Sequence, residues 1–150
     1  MPIVEISPEE TQAELEQDKS AIYLDVRSIP EFEAEHPKNA INIPIMHRNE
    51  GTGSMEPNPD FLKVALVNLP KDKRLFVGCL RGGRSLKACQ LLEQNGYEKL
   101  HNVEGGFGGA VDPSTGLVSQ KGWKASGLPV STESKENETY RALREKAFGD

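Results

Sequence analysis

The fold class is decided by residues 75–85, which read Leu75-Phe76-Val77-Gly78-Cys79-Leu80-Arg81-Gly82-Gly83-Arg84-Ser85. The first four residues are continuously apolar, a composition typical of a strand that is buried on both faces of a parallel sheet. The two consecutive glycines permit a tight turn with positive φ angles. Helical spacing then continues over residues 84–95, and Gly96 is placed to end the helix. We therefore predict a strand, a tight loop and a helix in direct succession.

The same alternation of strands and helices continues through most of the chain. Strands are predicted over residues 3–6, 22–24, 41–43, 75–78 and 99–103. Helices are predicted over residues 8–18, 30–34, 61–69 and 84–95. The first helix starts with Ser7 as its N-cap and Glu10 at N3. This order predicts an α/β fold of three layers, with a mostly parallel central sheet of about five strands flanked by helices.

Several segments fit the alternation less well. Residues 51–60 and the glycine-rich residues 105–122 are predicted to be surface loops. Residues 131–139 are polar and are predicted to be a flexible linker. Residues 140–148 have apolar side chains at helical spacing, so they are either a short helix docked on the domain or a frayed tail. We divide the chain into one domain over residues 1–130 and a segment over residues 131–150, which holds the polar linker and the candidate C-terminal helix.

The composition excludes several classes of partner. The 150 residues carry a net charge of −5 and no block rich in lysine or arginine, so neither a nucleic acid nor an anionic membrane is expected to bind. Residues 1–10 contain no lysine, no arginine and no long apolar stretch, so no signal peptide is expected. No run approaches the roughly 18 apolar residues of a membrane-spanning helix. We expect a soluble, unanchored monomer.

The chain has two cysteines, Cys79 and Cys89. They form neither a CxxC pair nor a metal-ligand spacing, and the predicted helix between them carries them apart rather than into a disulfide. Reduced thiols in the cytoplasm are therefore expected. Cys89 falls among apolar helix positions, so we interpret it as a packed core residue rather than a resolving thiol. The three histidines also lack metal spacing, and we expect no metal or organic cofactor.

Cys79 lies one residue past the end of the most apolar strand, where ligands bind in open parallel sheets. A loop that turns at once into a helix aims backbone N–H groups inward, with the positive end of the helix dipole behind them. Arg81 and Arg84 add positive charge. Such surroundings lower the pKa of a cysteine from ~8.5 to roughly 3.5–7.5 and favour the thiolate. We interpret Cys79 as a nucleophile at an anion site; the alternative is a small buried core residue beside an ordinary turn.

The loop Cys79-Leu80-Arg81-Gly82-Gly83-Arg84-Ser85 resembles the active-site loop of rhodanese (thiosulfate:cyanide sulfurtransferase) domains. The resemblance covers roughly residues 3–130. Further signatures of that family are matched by residues 23–28, 31–32, 36–44, 103–106 and 127–130. One departure is that Trp123 follows the late glycine pair only after an insertion, residues 107–122, which is roughly a dozen residues longer than the family pattern. We expect this insertion to line the mouth of the site.

The resemblance implies a sulfurtransferase that works in two steps. The Cys79 thiolate takes the outer sulfur of thiosulfate or of a persulfide donor and becomes a persulfide. A thiol, cyanide or a sulfur-accepting protein then collects that sulfur, without a cofactor. The residues expected to bind the substrate and the persulfide anion are Leu80, Arg81, Gly82, Gly83, Arg84 and Ser85. Asp25 and Arg27 are expected to support the site as a structural ion pair behind the second strand.

Other functions on the same fold stay open. Dual-specificity phosphatases and arsenate reductases have a loop one residue longer than the four residues that separate Cys79 from Arg84 here. The smaller ring suits a sulfane sulfur better than a phosphate, and no general-acid carboxylate adjoins the loop in the sequence. A regulatory binding module would not need the intact cysteine and anion loop. A persulfide carrier would use the same loop chemistry as an independent enzyme, and the sequence does not separate the two.

Overall fold

The protein is described here by a computed structural model that covers residues 3–149. Its strands are β1 Val4–Ile6, β2 Ile22–Asp25, β3 His36–Pro37, β4 Ile41–Asn42, β5 Met46–Arg48, β6 Met55–Pro57, β7 Leu75–Gly78, β8 Leu100–Val103, β9 Ala110–Val111, β10 Val118–Gln120 and β11 Val130–Ser131. Its α-helices are α1 Pro8–Gln17, α2 Ile29–Ala34, α3 Phe61–Asn68, α4 Gly83–Gln94, α5 Gly122–Ala125 and α6 Tyr140–Phe148. A 3-10 helix covers Glu136–Glu138. No helix within residues 3–149 is long and apolar enough to cross a membrane.

The central sheet has five strands in the order β1-β8-β7-β2-β4, and all neighbouring pairs are parallel. β7 lies in the middle with all four of its residues buried, as its continuously apolar sequence predicts. Successive side chains of a strand point to opposite faces. Phe76 accordingly joins one core cluster with Trp123, whereas Val77 joins the other with Leu92. The predicted α/β fold with a mostly parallel sheet of about five strands is confirmed.

Local signals at the ends of two helices act as the sequence predicts. The backbone N–H of Glu10 donates to Ser7 Oγ at 3.1 Å, and the Glu10 carboxylate accepts from the Ser7 backbone, which completes a capping box on α1. α4 begins at Gly83, one residue before the predicted start, because Gly82 serves as its N-cap with a φ of +111°. Gly96 follows the end of α4 with a φ of +96°, as expected for the residue after a helix.

Two segments predicted as loops contain strands of short antiparallel hairpins, so those predictions are wrong in part. β6, within residues 51–60, pairs with β5. β9 and β10, within residues 105–122, pair with each other. These strands have two or three residues each and are mostly exposed, so no alternation of apolar and polar residues announces them. Their pairing comes from the turn that joins them rather than from burial of one face.

The C-terminal residues lie against the domain. β11 pairs with β3, and α6 packs on α3. Tyr140 and Leu143 of α6 are buried in the larger core cluster, and the Tyr140 hydroxyl accepts from Asn58 Nδ2 at 3.2 Å. Of the two alternatives for residues 140–148, the structure has the docked helix. The division of the chain at residue 130 stays a prediction.

Candidate active site

The Cys79 sulfur lies at the junction of β7 and α4, with only 2% of the residue exposed. The backbone N–H of Gly82 donates to Cys79 Sγ at 3.0 Å. The first helical bond of α4 runs from Leu86 N to Gly82 O at 3.3 Å, so the three preceding amides, of residues 83–85, have no partner within the helix. The thiol therefore accepts one backbone N–H and lies at the positive end of a helix whose first amides are not used by the helix itself.

A chain of polar side chains continues behind the sulfur. Cys79 Sγ lies 3.4 Å from Ser85 Oγ, and Ser85 Oγ lies 2.5 Å from Asn102 Oδ1. Asn102 is buried on β8, and its Nδ2 donates to both carboxylate oxygens of Glu5 on β1, at 3.0 and 3.1 Å. The carboxylate fixes which way the Asn102 amide lies, because only the Nδ2 side can donate to it. Asn102 Oδ1 is thereby held toward the Ser85 hydroxyl, which can also turn to donate to a deprotonated sulfur.

The segment after β8 is fastened to the back of the loop by backbone hydrogen bonds. Phe107 N donates to Cys79 O at 2.7 Å, and Gly108 N donates to Leu80 O at 2.8 Å. Gly106, with a φ of +53°, makes this approach feasible, because a Cβ there would lie 2.2 Å from Cys79 O. Residues 105–108 thus hold the position of Cys79, and the sequence signal for them is the glycine pair itself.

Asp25 and Arg27 form the predicted ion pair, and both residues are buried. Arg27 NH2 lies 2.8 Å from Asp25 Oδ2, and the same nitrogen donates to Glu35 O at 2.7 Å. The Arg27 guanidinium also stacks over the ring of Phe107, 4.4 Å from its centroid. The pair therefore reaches the loop of residues 79–85 through Phe107, whose backbone N–H donates to Cys79 O. Its supporting role in the reaction stays a prediction.

Arg84 is engaged by a carboxylate from α2. Its NH1 and NH2 donate to Glu31 Oε1 and Oε2 at 2.9 and 3.0 Å. Burial alone would raise the pKa of Glu31, but the hydrogen bonds from Arg84 and Ser28 outweigh burial and lower that pKa to about 2. The same pairing with Glu31 raises the pKa of Arg84. A carboxylate, Glu31, thus adjoins the loop in the folded protein, although no carboxylate adjoins it in the sequence. Its low pKa keeps Glu31 ionised at neutral pH.

The remaining residues of the loop differ in exposure. Arg81 and Gly83 are exposed, and Leu80 is half-buried. The structure thus brings Cys79, Gly82 and Ser85 together, places Arg84 on Glu31 and leaves Arg81 at the surface of the loop. Anion binding by either arginine stays a prediction. The sequence indicates no role for Glu5 or Asn102; it indicates Glu31 only within the family signature of residues 31–32, and Phe107 only within the insertion. Each of the four reaches the loop from a distant part of the chain.

Cys89 lies in the interior of α4, fully buried, with its sulfur 4.0 Å from the carbonyl oxygen of His101. Burial raises the pKa of its thiol to about 12. Both cysteines are free thiols. Cys89 is therefore a packed core residue, as the apolar helix positions predict. Among residues 3–149, no three metal-ligating side chains come together in a metal site.

A cysteine at the carboxyl end of a central parallel strand, whose sulfur accepts the N–H of the N-cap residue of the following helix, defines an α/β protein with a thiol at a strand–loop–helix junction. A model of the family described as Rhodanese-like domain matches residues 7–111. The chain belongs to the rhodanese-like domain family.

Curated relatives and solved structures agree with this membership. The chain is 36% identical over 108 residues to Thiosulfate sulfurtransferase 16, chloroplastic, of Arabidopsis thaliana, covering 72% of this chain and 78% of that protein. It is 35% identical over 133 residues to Thiosulfate sulfurtransferase 18 of the same plant, covering 87% of each. These names support a sulfurtransferase.

A third plant relative and one solved structure complete the comparison. The chain is 40% identical over 90 residues to Protein HIGH ARSENIC CONTENT 1, mitochondrial, of Arabidopsis thaliana, and spans 52% of that protein's length. The crystal structure of Rv0390 from M. tuberculosis superimposes with a TM-score of 0.72 at 24% identity, covering 89% of this chain and all of that one. This second likeness shows the fold alone.

Proposed function

We propose that the chain is a sulfurtransferase that moves a sulfane sulfur from thiosulfate or a persulfide donor to a thiol or cyanide, through a persulfide on Cys79. The observation that carries this proposal is the Gly82 N–H donated to the buried Cys79 sulfur at 3.0 Å, at the first turn of α4. Donors in that position stabilise negative charge on sulfur, both on the thiolate and on the persulfide that replaces it.

The reaction divides into two displacements at sulfur. The Cys79 thiolate attacks the outer sulfur of thiosulfate; the bond between the two donor sulfurs breaks, and sulfite leaves with its electron pair. Cys79 now carries a terminal sulfur with a negative charge. A thiolate or cyanide then attacks that terminal sulfur, and the Cys79 thiolate is regenerated. Both steps exchange one bond to the transferred sulfur for another, so no external oxidant or reductant is needed.

Three features of the site support these steps. The amides of residues 83–85 precede the first helical hydrogen bond, so they are free of helical partners, and in this proposal they receive the charge of the terminal sulfur. The Ser85 hydroxyl, 3.4 Å from Cys79 Sγ, can donate to the sulfur when it is charged. Arg84 donates one N–H from NH1 and one from NH2 to Glu31. A guanidinium has five N–H groups, so Arg84 would hold an anionic donor with those that remain.

The experiment that tests the proposal is the intact mass of the reduced protein after incubation with thiosulfate. We expect the mass of one added sulfur in the wild type and in Cys89→Ala, and no addition in Cys79→Ser. A sulfur adduct on Cys79→Ser contradicts the proposal. So does a wild-type protein that gains no sulfur from thiosulfate or from an organic persulfide.

Arsenate reduction is a second candidate, because a relative 40% identical over 90 residues is named for high arsenic content. The loop argues against it, since four residues between Cys79 and Arg84 make a smaller ring than arsenate or phosphate would fill. Glu31 also argues against phosphatase chemistry: with a pKa of about 2, it carries no proton to give a leaving group at neutral pH. Turnover of arsenate or aryl phosphates by the wild type, without sulfur loading, would favour this candidate.

Location, oligomeric state and the identity of the acceptor are also proposals. The two free thiols support a reducing compartment, and we propose the cytoplasm, although two relatives are named chloroplastic and mitochondrial. We propose a monomer. Release of sulfur that depends on a partner protein would identify a persulfide carrier, whereas release to small thiols at the same rate would identify an independent enzyme.

A further inference from the structure

The insertion forms a groove beside the catalytic loop, which we name the hairpin groove. Leu80 and Arg81 of the loop line one side, and Val111, Val118 and Lys121 of the β9–β10 region line the other. The groove has a volume of about 490 Å³. Leu80 and Arg81 directly follow Cys79 in the chain, so one wall of this groove belongs to the loop that begins at Cys79.

The walls of the hairpin groove are fixed to each other. The bonds from Phe107 N and Gly108 N to the catalytic loop hold one end of the insertion, and Trp123 N donates to Gly106 O at 2.8 Å at the other end. Gly109, with a φ of +81°, allows the two ends to close, since a Cβ there would lie 2.4 Å from Lys121 O. The groove is therefore largely formed before a ligand arrives, which lowers the entropic cost of binding.

Apolar surface extends from the groove to the hairpin. Val111 and Val118 are partners across the hairpin, and they are 54% and 65% exposed. Leu117, outside the groove and next to Val118 in the sequence, is 70% exposed. Exposed apolar side chains that continue from a groove onto its rim are typical of a contact with another protein.

The charge of the groove indicates the chemistry of that partner. Arg81 and Lys121 are the charged residues among those that line it, and both are cationic, although the chain as a whole has a net charge of −5. Cationic residues beside an apolar strip are complementary to an acidic segment with apolar side chains. A protein that receives sulfur must present a thiol, so such a segment would carry a cysteine.

We propose that the hairpin groove docks an acidic, partly apolar segment of an acceptor protein and presents the cysteine of that segment to the persulfide on Cys79. The inference rests on the proposed sulfurtransferase function and names its acceptor class. The acceptor thiolate attacks the terminal sulfur, the bond from that sulfur to Cys79 breaks, and Cys79 leaves as a thiolate. The acceptor cysteine becomes the persulfide, and no other reactant is required.

The test uses three synthetic peptides with one cysteine each and the sulfur-loaded full-length protein. The first peptide has aspartates and leucines around the cysteine, the second has lysines in place of the aspartates, and the third has serines in place of the leucines. Persulfide on each peptide is measured by mass spectrometry against time, with 2-mercaptoethanol as a small reference acceptor. We expect the first peptide to react at least about 5-fold faster than the other two at equal concentration.

Two variants of the groove and two matched controls sharpen the test. Lys121→Glu is expected to lower the ratio of the acidic-peptide rate to the 2-mercaptoethanol rate by about 3- to 10-fold, and to raise the rate with the lysine peptide. Val111→Ser is expected to lower the same ratio by about 3-fold. Lys99→Glu and Val67→Ser change an exposed lysine and a valine that is 53% exposed, both outside the groove, and should leave the ratio unchanged.

The outcomes separate this inference from the function on which it rests. If Cys79 never acquires sulfur, the proposed function fails before any peptide is added. If Cys79 is loaded but the three peptides react equally, or the control variants lower the ratio as much as the groove variants, the docking proposal is wrong and the function stands. A small anionic thiol such as 3-mercaptopropionate that reacts as fast as the acidic peptide also overturns the docking of a protein segment.

Discussion

Cys79 and Cys89 are ten residues apart and almost equally buried, yet the protein treats their sulfurs differently. Cys79 is 2% exposed and Cys89 is fully buried. The sulfur of Cys79 accepts the N–H of Gly82 at 3.0 Å, whereas the sulfur of Cys89 faces the carbonyl oxygen of His101 at 4.0 Å. One thiol sits before the first turn of α4 and the other in its middle.

The difference teaches that the position along a helix, rather than burial, decides what a cysteine can do here. In the middle of a helix the backbone N–H groups are used by the preceding turn, so a buried thiolate has no donors and burial raises the pKa of Cys89 to about 12. Before the first turn the backbone amides are not used by the helix, and one of them, the Gly82 N–H, donates to the Cys79 sulfur. Burial keeps the Cys89 thiol protonated, whereas at Cys79 burial strengthens the hydrogen bond from Gly82, because water does not compete for the donor.

The predicted difference in reactivity between the two thiols is tested most directly by their alkylation rates in the native protein at pH 7. Iodoacetamide is expected to modify Cys79 at least about 100-fold faster than Cys89, because a thiol with a pKa of about 12 has almost no thiolate at this pH. The modified residue is identified by peptide mapping. In concentrated urea both cysteines should react alike. Equal rates in the native protein would show that the helix position does not distinguish the two sulfurs.

The next largest effect is expected from the buried ion pair between Asp25 and Arg27. Arg27→Ala leaves Asp25 buried without its partner and removes the cation stacked on Phe107. We expect the free energy of unfolding, measured with urea, to fall by about 3–5 kcal/mol. Arg141→Ala removes an ion pair whose arginine side chain is 90% exposed, and should cost less than about 1 kcal/mol. Similar losses in the two variants would contradict the structural role of the buried pair.

A third prediction concerns the Gly82 N–H, which donates to the Cys79 sulfur. Gly82→Ala forces a side chain onto a residue with a φ of +111°, although a Cβ there meets no atom closer than 3.8 Å. Relief of this strain moves the N–H that faces Cys79, so sulfur transfer is expected to fall by about 10-fold. Gly149→Ala, at a φ of +74° with open space around it, is the matched control. Because Gly149 lies far from Cys79 in the chain, Gly149→Ala should leave the transfer rate unchanged, and an equal fall in rate for both variants would contradict the role of the Gly82 N–H.

How much of this site the sequence predicts depends on how local each interaction is. The strand before Cys79, the turn at Gly82 and the helix behind it are encoded within eleven consecutive residues, and all three were predicted. Glu31 also belongs to a local pattern, the capping box with Ser28. That pattern does not predict the ion pair between Glu31 and Arg84, which are 53 positions apart in the sequence. The orientation of Asn102 depends on which strand lies beside β8, which only the folded sheet determines.

The β9–β10 hairpin shows the same limit from another direction. Its residues are glycine-rich and exposed, so periodicity predicts a loop. The start of the segment is instead held by two backbone hydrogen bonds, from Phe107 N and Gly108 N to the carbonyl oxygens of Cys79 and Leu80. That the insertion lines the mouth of the site stays a prediction, and the structure adds that backbone hydrogen bonds fasten one end of the insertion to the loop at Cys79 and Leu80.

The smallest effect is expected from the ion pair at the first turn of α4, and it depends on pH. The folded-state pKa of Glu31 is about 2, below its ordinary value of 4.5, so the ionised carboxylate stabilises the fold above the ordinary value. That stability is lost as the pH falls from about 4.5 toward 2, because the proton binds more tightly to the unfolded chain. Since both partners are partly exposed, the contribution is about 1 kcal/mol.

The measurement is the difference in unfolding free energy between the wild type and Glu31→Gln at pH 7 and at pH 3. We expect a difference of about 1 kcal/mol at pH 7 that shrinks markedly at pH 3. Glu98→Gln, at an exposed position after the end of α4, should change the stability little at either pH. A difference for Glu31→Gln that is the same at both pH values would mean that Arg84 does not hold this carboxylate in solution. Arg84 would then be free to bind the anionic donor from the start.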